Sequence, residues 1–183
     1  FYAFSGGQES DAGTIGGVRV LNAVKRGEKE NIIDIEYELE DGPQFKVGDT
    51  VEVVIDGVRR EKLRKLHSAT HIAYYFLIEN LGNRKVLGSH IAADKARIDL
   101  ECDVPLTSVL ADIEEKMNAF LLGDHMIVRE PDAAKPDLRW WVCGKWKMPC
   151  GGTHVRSTKE IGQVILKRKN IGNGKERMEI YLN

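Results

Sequence analysis

The sequence holds too little cysteine for a disulfide framework. There are three, Cys102, Cys143 and Cys150, an odd count. A reducing, cytoplasmic setting suits such usage. Excess charge is also lacking. Lys and Arg number 27 against 28 Asp and Glu, a net charge of −1. No global basic field therefore announces nucleic acid, and any such contact must come from a local patch. No apolar run approaches the length that spans a bilayer, and no secretory signal opens the chain. Ser-His-Asp order, a Walker loop and a dinucleotide fingerprint are all absent. So are internal repeats and low-complexity linkers. What remains is a chain of 183 residues, 42% hydrophobic and 30% charged, long enough for a sizeable core in one domain or two small ones.

The pattern divides into two halves. Residues 1–57 read as a small β-barrel-like module. "NIIDIEYEL" alternates, as does "TVEVVI" before a turn at Asp56-Gly57, and glycines punctuate "SGGQESDAGTIGG". The chain opens at Phe1, mid-pattern and without Met, so this module is expected to lack its first strands. Residues 58–183 read as α+β. A helix is expected from roughly Arg59 to Leu81, with Gly82 as its stop. "ARIDLE" and "MIVRE" read as strands. "PLTSVLADIEEKMNAFLLG" reads as a second helix, capped by Thr107 or Ser108 and ended by Gly123. "IGQVILKRKN" and "ERMEIYL" flank Asn173-Gly174 as a closing hairpin. The expected fold is two helices laid on a mainly antiparallel sheet.

Two short motifs carry chemistry. In "HSATH", His67 and His71 stand four apart on the expected helix and project side by side. In "CGGTH", two glycines favour a turn on which Cys150 and His154 converge. Each pair alone is a weak signal, because buried thiols and paired polar residues are common. Together they supply one thiolate and three imidazoles, a donor set suited to tetrahedral zinc. Cys143 reads as a half-buried strand residue beside Trp140 and Trp141, and Cys102 as packing. His90 and His125 read as isolated histidines. Basic clusters occur at "RREKLRK" (Arg59, Arg60 and Lys62 among them) and at Lys167, Arg168 and Lys169. Either could bind phosphate locally.

"HSATH" followed far downstream by "CGGTHV" resembles the editing domain of alanyl-tRNA synthetase. "FYAFSGGQESDAGTIGG", "VGDTVEVVIDGVRREKLRKLHSATH" and "GSHIAADKARIDLE" extend that resemblance along nearly the whole chain. The size and two-part layout resemble the free-standing, medium-length members of the family, called AlaX. The chain departs from the pattern at His90, at the tryptophan-rich "RWWVCGKWKMP" and at its end, "ERMEIYLN". That end favours a free-standing protein.

The resemblance implies a zinc-dependent deacylase acting in trans on mischarged tRNA(Ala), chiefly Ser-tRNA(Ala) and also Gly-tRNA(Ala), while sparing Ala-tRNA(Ala). It implies His67, His71, Cys150 and His154 as metal and catalytic residues, with one Zn2+ per chain. Thr14, Gln8 and Ser89 would face the substrate, and Gly6, Gly7 and the basic clusters would meet the tRNA. Two alternatives stand beside this reading: a related deacylase for Ser-tRNA(Thr), and a non-catalytic RNA-binding module stabilised by zinc. Four protein ligands close a tetrahedron. Catalysis would then need a weak fourth ligand or a fifth position, or zinc would serve only to position the substrate.

Overall fold

The computed structural model describes residues 1–28, 31–135, 138–172 and 174–183. Among them the chain is α+β, with two α-helices and three antiparallel sheets. The first sheet contains β1 (Gly13–Ile15), β2 (Val18–Glu28), β3 (Asn31–Leu39) and β4 (Val53–Ile55), in the order β3-β2-β1-β4. Only the last three residues of "TVEVVI" form β4. Among the described residues its partner is β1, which is itself three residues long, so the ladder stops there.

Helix α1 (Gly57–Leu81) begins two residues before the expected start, because Asp56 caps it. The Asp56 carboxylate accepts from the Arg59 N–H at 2.9 Å. The helix ends at Gly82 as expected, with φ +73° and its N–H donating to the Ile78 carbonyl at 2.8 Å. Leu63, Leu66, Ala69, Ile72 and Ala73 are fully buried on it.

The second sheet has the order β10-β11-β6-β5, from β5 (Val86–Ile91), β6 (Ala96–Glu101), β10 (Val164–Asn170) and β11 (Lys175–Leu182). Helix α1 packs on β6 and β11, and α2 (Leu110–Leu122) packs on β10. Between them lies one apolar core containing Ile98, Leu100, Ile113, Met117, Met178 and Ile180. Strand β5 escapes the alternation rule because Gly88-Ser89-His90 interrupts it and the register shifts between Val86 and Gly88. The expected closing hairpin forms, and the Asn173 of its turn lies outside the described residues.

Neither Thr107 nor Ser108 caps α2. Leu106–Ser108 forms a 3-10 turn, the Ser108 hydroxyl donates back to the Pro105 carbonyl at 3.0 Å, and the N-cap is Val109 with no side-chain cap. The third sheet, β7-β8-β9, comprises β7 (Ile127–Pro131), β8 (Arg139–Cys143) and β9 (Trp146–Pro149). The tryptophan-rich stretch is its β8-β9 hairpin, turning at Gly144 with φ +56°. Cys143 is buried in β8 rather than half-buried.

Candidate metal centre

Three separate segments converge on the two motifs. On α1, His67, Thr70, His71 and Tyr74 share one strip, as the spacing i, i+3, i+4, i+7 requires. The strip forms part of the wall of a cavity of about 530 Å3. The loop after β9 brings Cys150 and His154, its start tied down by the Cys150 N–H donating to the Arg139 carbonyl at 2.8 Å. The third segment is the N-terminal glycine turn. Ser5 and Gln8 close it with paired backbone hydrogen bonds, and Gly6 and Gly7 take φ +60° and +85°. It docks along β5 through Ile91 N–H to Gly7 O at 2.8 Å and Glu9 N–H to Ile91 O at 3.0 Å. A Cβ on Gly7 would collide with the Ser89 carbonyl, so the close docking itself requires glycine there.

The ligand atoms of His67, His71, Cys150 and His154 all lie within 4.8 Å of one another. Cys150 Sγ is 3.5 Å from His67 Nε2 and 3.3 Å from His154 Nε2. His71 Nε2 is buried with no hydrogen-bond partner among the described residues. Burial lowers the His67 pKa to about 3, and holds His71 and His154 well below the usual imidazole value, with the neighbouring His67 adding to it. Burial raises the Cys150 thiol. The three imidazoles are therefore neutral at physiological pH, with lone pairs available.

The hydrogen bonds fix which nitrogen is bare. The Thr153 N–H donates to Gln8 Oε1 at 3.0 Å, and Gln8 Nε2 donates to Thr153 Oγ1 at 2.8 Å. Oε1 is thus the oxygen of the amide, and the His67 Nδ1 only 2.6 Å from it must be its N–H donor. That leaves His67 Nε2 unprotonated and facing the thiol. For His154, the Ser68 hydroxyl donates to the Arg64 carbonyl at 2.9 Å and accepts from the Val155 N–H at 3.2 Å. Its remaining lone pair faces His154 Nδ1 at 3.4 Å, so His154 also turns Nε2 inward. Neutral imidazoles with bare inward nitrogens, an orphaned His71 Nε2 and a thiol among them fit a tetrahedral zinc.

The other singled-out residues fall in distinct places. Ser89 and Gly6 line the cavity. Gln8 is fully buried behind His67. Thr14 pairs with Arg19 and Val54 inside the first sheet and is not among the lining residues. Arg59 binds Glu9 at 2.7 Å, and Arg60 clamps the buried Asp11. Arg168 holds Glu176 through two bonds of 2.6 Å. Lys62, Lys167 and Lys169 are exposed. His90 meets Glu9 at 3.2 Å, His125 stacks on Phe120 and Cys102 is buried. Thr70, Ser68, Thr153 and Trp141 escaped the sequence reading. Thr70 lies inside "HSATH" and Thr153 inside "CGGTH", so spacing could have flagged both. Trp141, whose ring centroid is 4.9 Å from that of His71, gave no such signal.

The fold and the cluster define a class: an α+β protein with three histidines and one cysteine that could hold a metal at an apolar cavity. Comparison with known proteins narrows it. The family described as Threonyl and Alanyl tRNA synthetase second additional domain matches residues 142–179, which include Cys150 and His154. Alanyl-tRNA editing protein AlaX-M of Pyrococcus horikoshii is 38% identical over 187 residues, spanning all of this chain and 83% of that protein. Alanine--tRNA ligase of Campylobacter jejuni subsp. jejuni, in strains 81-176 and 81116, is 31% identical over 202 residues. The match spans all of this chain but only 23% of each ligase. The chain belongs to the alanyl-tRNA editing protein family.

Proposed function

We propose that this protein is a trans-editing hydrolase that removes the wrong amino acid from mischarged tRNA(Ala), chiefly Ser-tRNA(Ala) and also Gly-tRNA(Ala). The observation that carries this reading is the cluster of His67, His71, Cys150 and His154 at a cavity of about 530 Å3. That size holds an aminoacyl group and part of a nucleoside. Membership of the family and the names of its relatives supply the substrate class.

One Zn2+ would be held by those four side chains, and where one of them yields or a fifth position opens it would supply Lewis acidity toward an ester carbonyl. The chain's own residues do the rest. Gln8 and Ser68 hold His67 and His154 in the tautomer that turns Nε2 inward. Ile91, Ile98, Val86 and Met148 line the cavity and exclude bulk water from the ester. Selection of serine falls to hydroxyls in the wall. Thr70 donates to the Leu66 carbonyl at 2.7 Å and keeps lone pairs for a substrate hydroxyl, and Ser89 lines the same space. Alanine offers no such partner and leaves these groups unpaired; glycine offers none either, so its removal ahead of alanine rests on steric exclusion of the alanine methyl. Gly6 lines the cavity and Gly7 follows it in the same turn; both would meet the tRNA end, and Lys62, Lys167 and Lys169 supply positive charge for tRNA phosphates.

The test is deacylation of Ser-, Gly- and Ala-charged tRNA(Ala) and of Ser-charged tRNA(Thr), each with and without zinc. Rapid loss of Ser and Gly from tRNA(Ala) alone is expected. Preference for Ser-tRNA(Thr) would reassign the substrate. Full zinc retention with no deacylation would make the centre structural and the protein a binding module.

A further inference from the structure

The three-stranded sheet places one cation where the proposed function does not yet use it. Arg129 on β7, Trp141 on β8 and Met148 on β9 stand directly opposite one another. Residues so paired project from the same face of a sheet. Trp141 packs that face against His71 and His154, with ring centroids 4.9 and 6.3 Å away. Met148 lines the cavity. The row therefore looks toward the metal centre, and Arg129 is its member on an edge strand, exposed to solvent.

The charge of Arg129 acts on three groups of the site: Tyr2, Cys150 and His154. Tyr2 and Cys150 both line the cavity. Other arginines around the site are already spoken for. Arg59, Arg60 and Arg64 are bound to Glu9, Asp11 and Glu61. Arg129 has no carboxylate partner among the described residues. Its neighbour Glu130 is engaged instead by Lys147 at 3.0 Å.

We propose that Arg129 is a substrate-positioning residue that binds the 5′-phosphate of the terminal nucleoside whose ribose carries the ester. This rests on the deacylase reading above and adds the anion that the site would grip. A guanidinium is suited to it, because its planar fork takes a phosphate through two parallel hydrogen bonds and stays charged at every working pH. An ester carbonyl directed at the histidine-cysteine cluster leaves the ribose at the cavity mouth and its 5′-phosphate outside. The only group of high negative charge on that nucleoside then lies where an unpaired cation flanks the site.

The experiment compares two small esters, 2′(3′)-O-seryl-adenosine 5′-monophosphate and 2′(3′)-O-seryl-adenosine, on wild type, Arg129→Ala and Arg129→Lys. Thermal unfolding and zinc content confirm that each variant is folded and loaded. Arg129→Ala is expected to lose about tenfold or more in kcat/KM on the phosphorylated ester, mostly through KM. It should be unchanged on the ester without phosphate. Arg129→Lys should fall between, since it keeps the charge and loses the fork. Calorimetric binding of 5′-AMP and adenosine gives a readout free of catalysis: wild type should prefer 5′-AMP and Arg129→Ala should not. An equal fall on both esters, or a preference for 5′-AMP that survives in Arg129→Ala, overturns the assignment. Wild type that binds 5′-AMP through Arg129 but hydrolyses neither ester overturns the deacylase reading instead.

Discussion

Gly151 and Gly152 are adjacent and chemically identical, yet the fold treats them differently. A Cβ on Gly152 would overlap the His67 ring and crowd Gln8 Oε1, whereas one on Gly151 meets nothing within 4 Å. The His67 ring cannot retreat, because Gln8 holds its Nδ1 at 2.6 Å. Gly152→Ala should therefore destabilise the protein by roughly 1–3 kcal/mol and lower zinc affinity about 10- to 100-fold. Gly151→Ala should do neither. Urea unfolding and competition with a zinc chelator measure both, and equal behaviour of the two variants would refute the account. The pairing of HxxxH with CxxxH was legible because each motif lies within five residues. The Gln8 contact was not. Gln8 is 59 residues from His67 and 145 from Thr153, and only the family resemblance singled it out, as a residue facing substrate. Replacing Gln8 by Leu should leave the Thr153 N–H and the His67 Nδ1–H unsatisfied, at a cost of about 1–3 kcal/mol for each. The same unfolding assay, run on metal-free protein, checks it.

At the scale of elements, the β10-β11 hairpin shows why a charge run is a poor guide to its own use. Lys167, Arg168 and Lys169 are consecutive in sequence, but a strand sends neighbours to opposite faces. Arg168 reaches Glu176 with two bonds of 2.6 Å, and the Glu176 side chain is only 4% exposed. The two lysines stay in solvent, Lys167 lying over the Tyr181 ring. Arg168→Ala should thus cost roughly 1–3 kcal/mol by stranding a buried carboxylate, while Lys167→Ala and Lys169→Ala should stay within about 0.5 kcal/mol. A pH signature accompanies it. The hydrogen bonds from Arg168 hold the Glu176 carboxyl below the usual glutamate value. A depressed carboxyl stabilises the fold at pH above its unfolded pKa of about 4.3 and loses that contribution as pH falls through the folded value. Wild type should therefore lose its stability advantage over Glu176→Gln as pH drops below about 4.3. A constant difference between pH 7 and pH 3 would contradict the pair. The long helix, the closing hairpin and the α+β class could all be read beforehand, because periodicity and glycine stops are local signals. Strands β5 and β9 could not be, and β8 showed only in the reading of Cys143 as a strand residue beside Trp140 and Trp141. Gly88 breaks the alternation of β5, and β9 is only four residues long.

Over the whole molecule, the candidate metal centre is the point where three distant pieces of chain meet. The N-terminal turn arrives through Gln8, α1 through His67 and His71, and the loop after β9 through Cys150 and His154. Their mutual contacts without a metal are weak: sulfur–nitrogen separations of 3.3 and 3.5 Å, and a buried His71 Nε2 with no partner. An unsatisfied buried nitrogen costs about 1–3 kcal/mol, and three neutral imidazoles around a thiol gain little from one another. A zinc ion would satisfy all four donors at once and tie the three segments together, and the unfolded chain offers no comparable site. Zinc bound to the folded state alone stabilises it by about 2.7 kcal/mol at a free concentration one hundred times Kd. For a chain of this length that amounts to roughly 5–10 °C in Tm. Chelator-treated wild type should melt lower by that amount, and restoring zinc should recover it. His67→Ala/His71→Ala should melt at one temperature with and without zinc, because two of the four donors are gone. Calorimetric scans of both proteins in each condition decide it. A wild-type Tm indifferent to zinc would mean that the cluster of three histidines and a cysteine holds no metal in the folded protein.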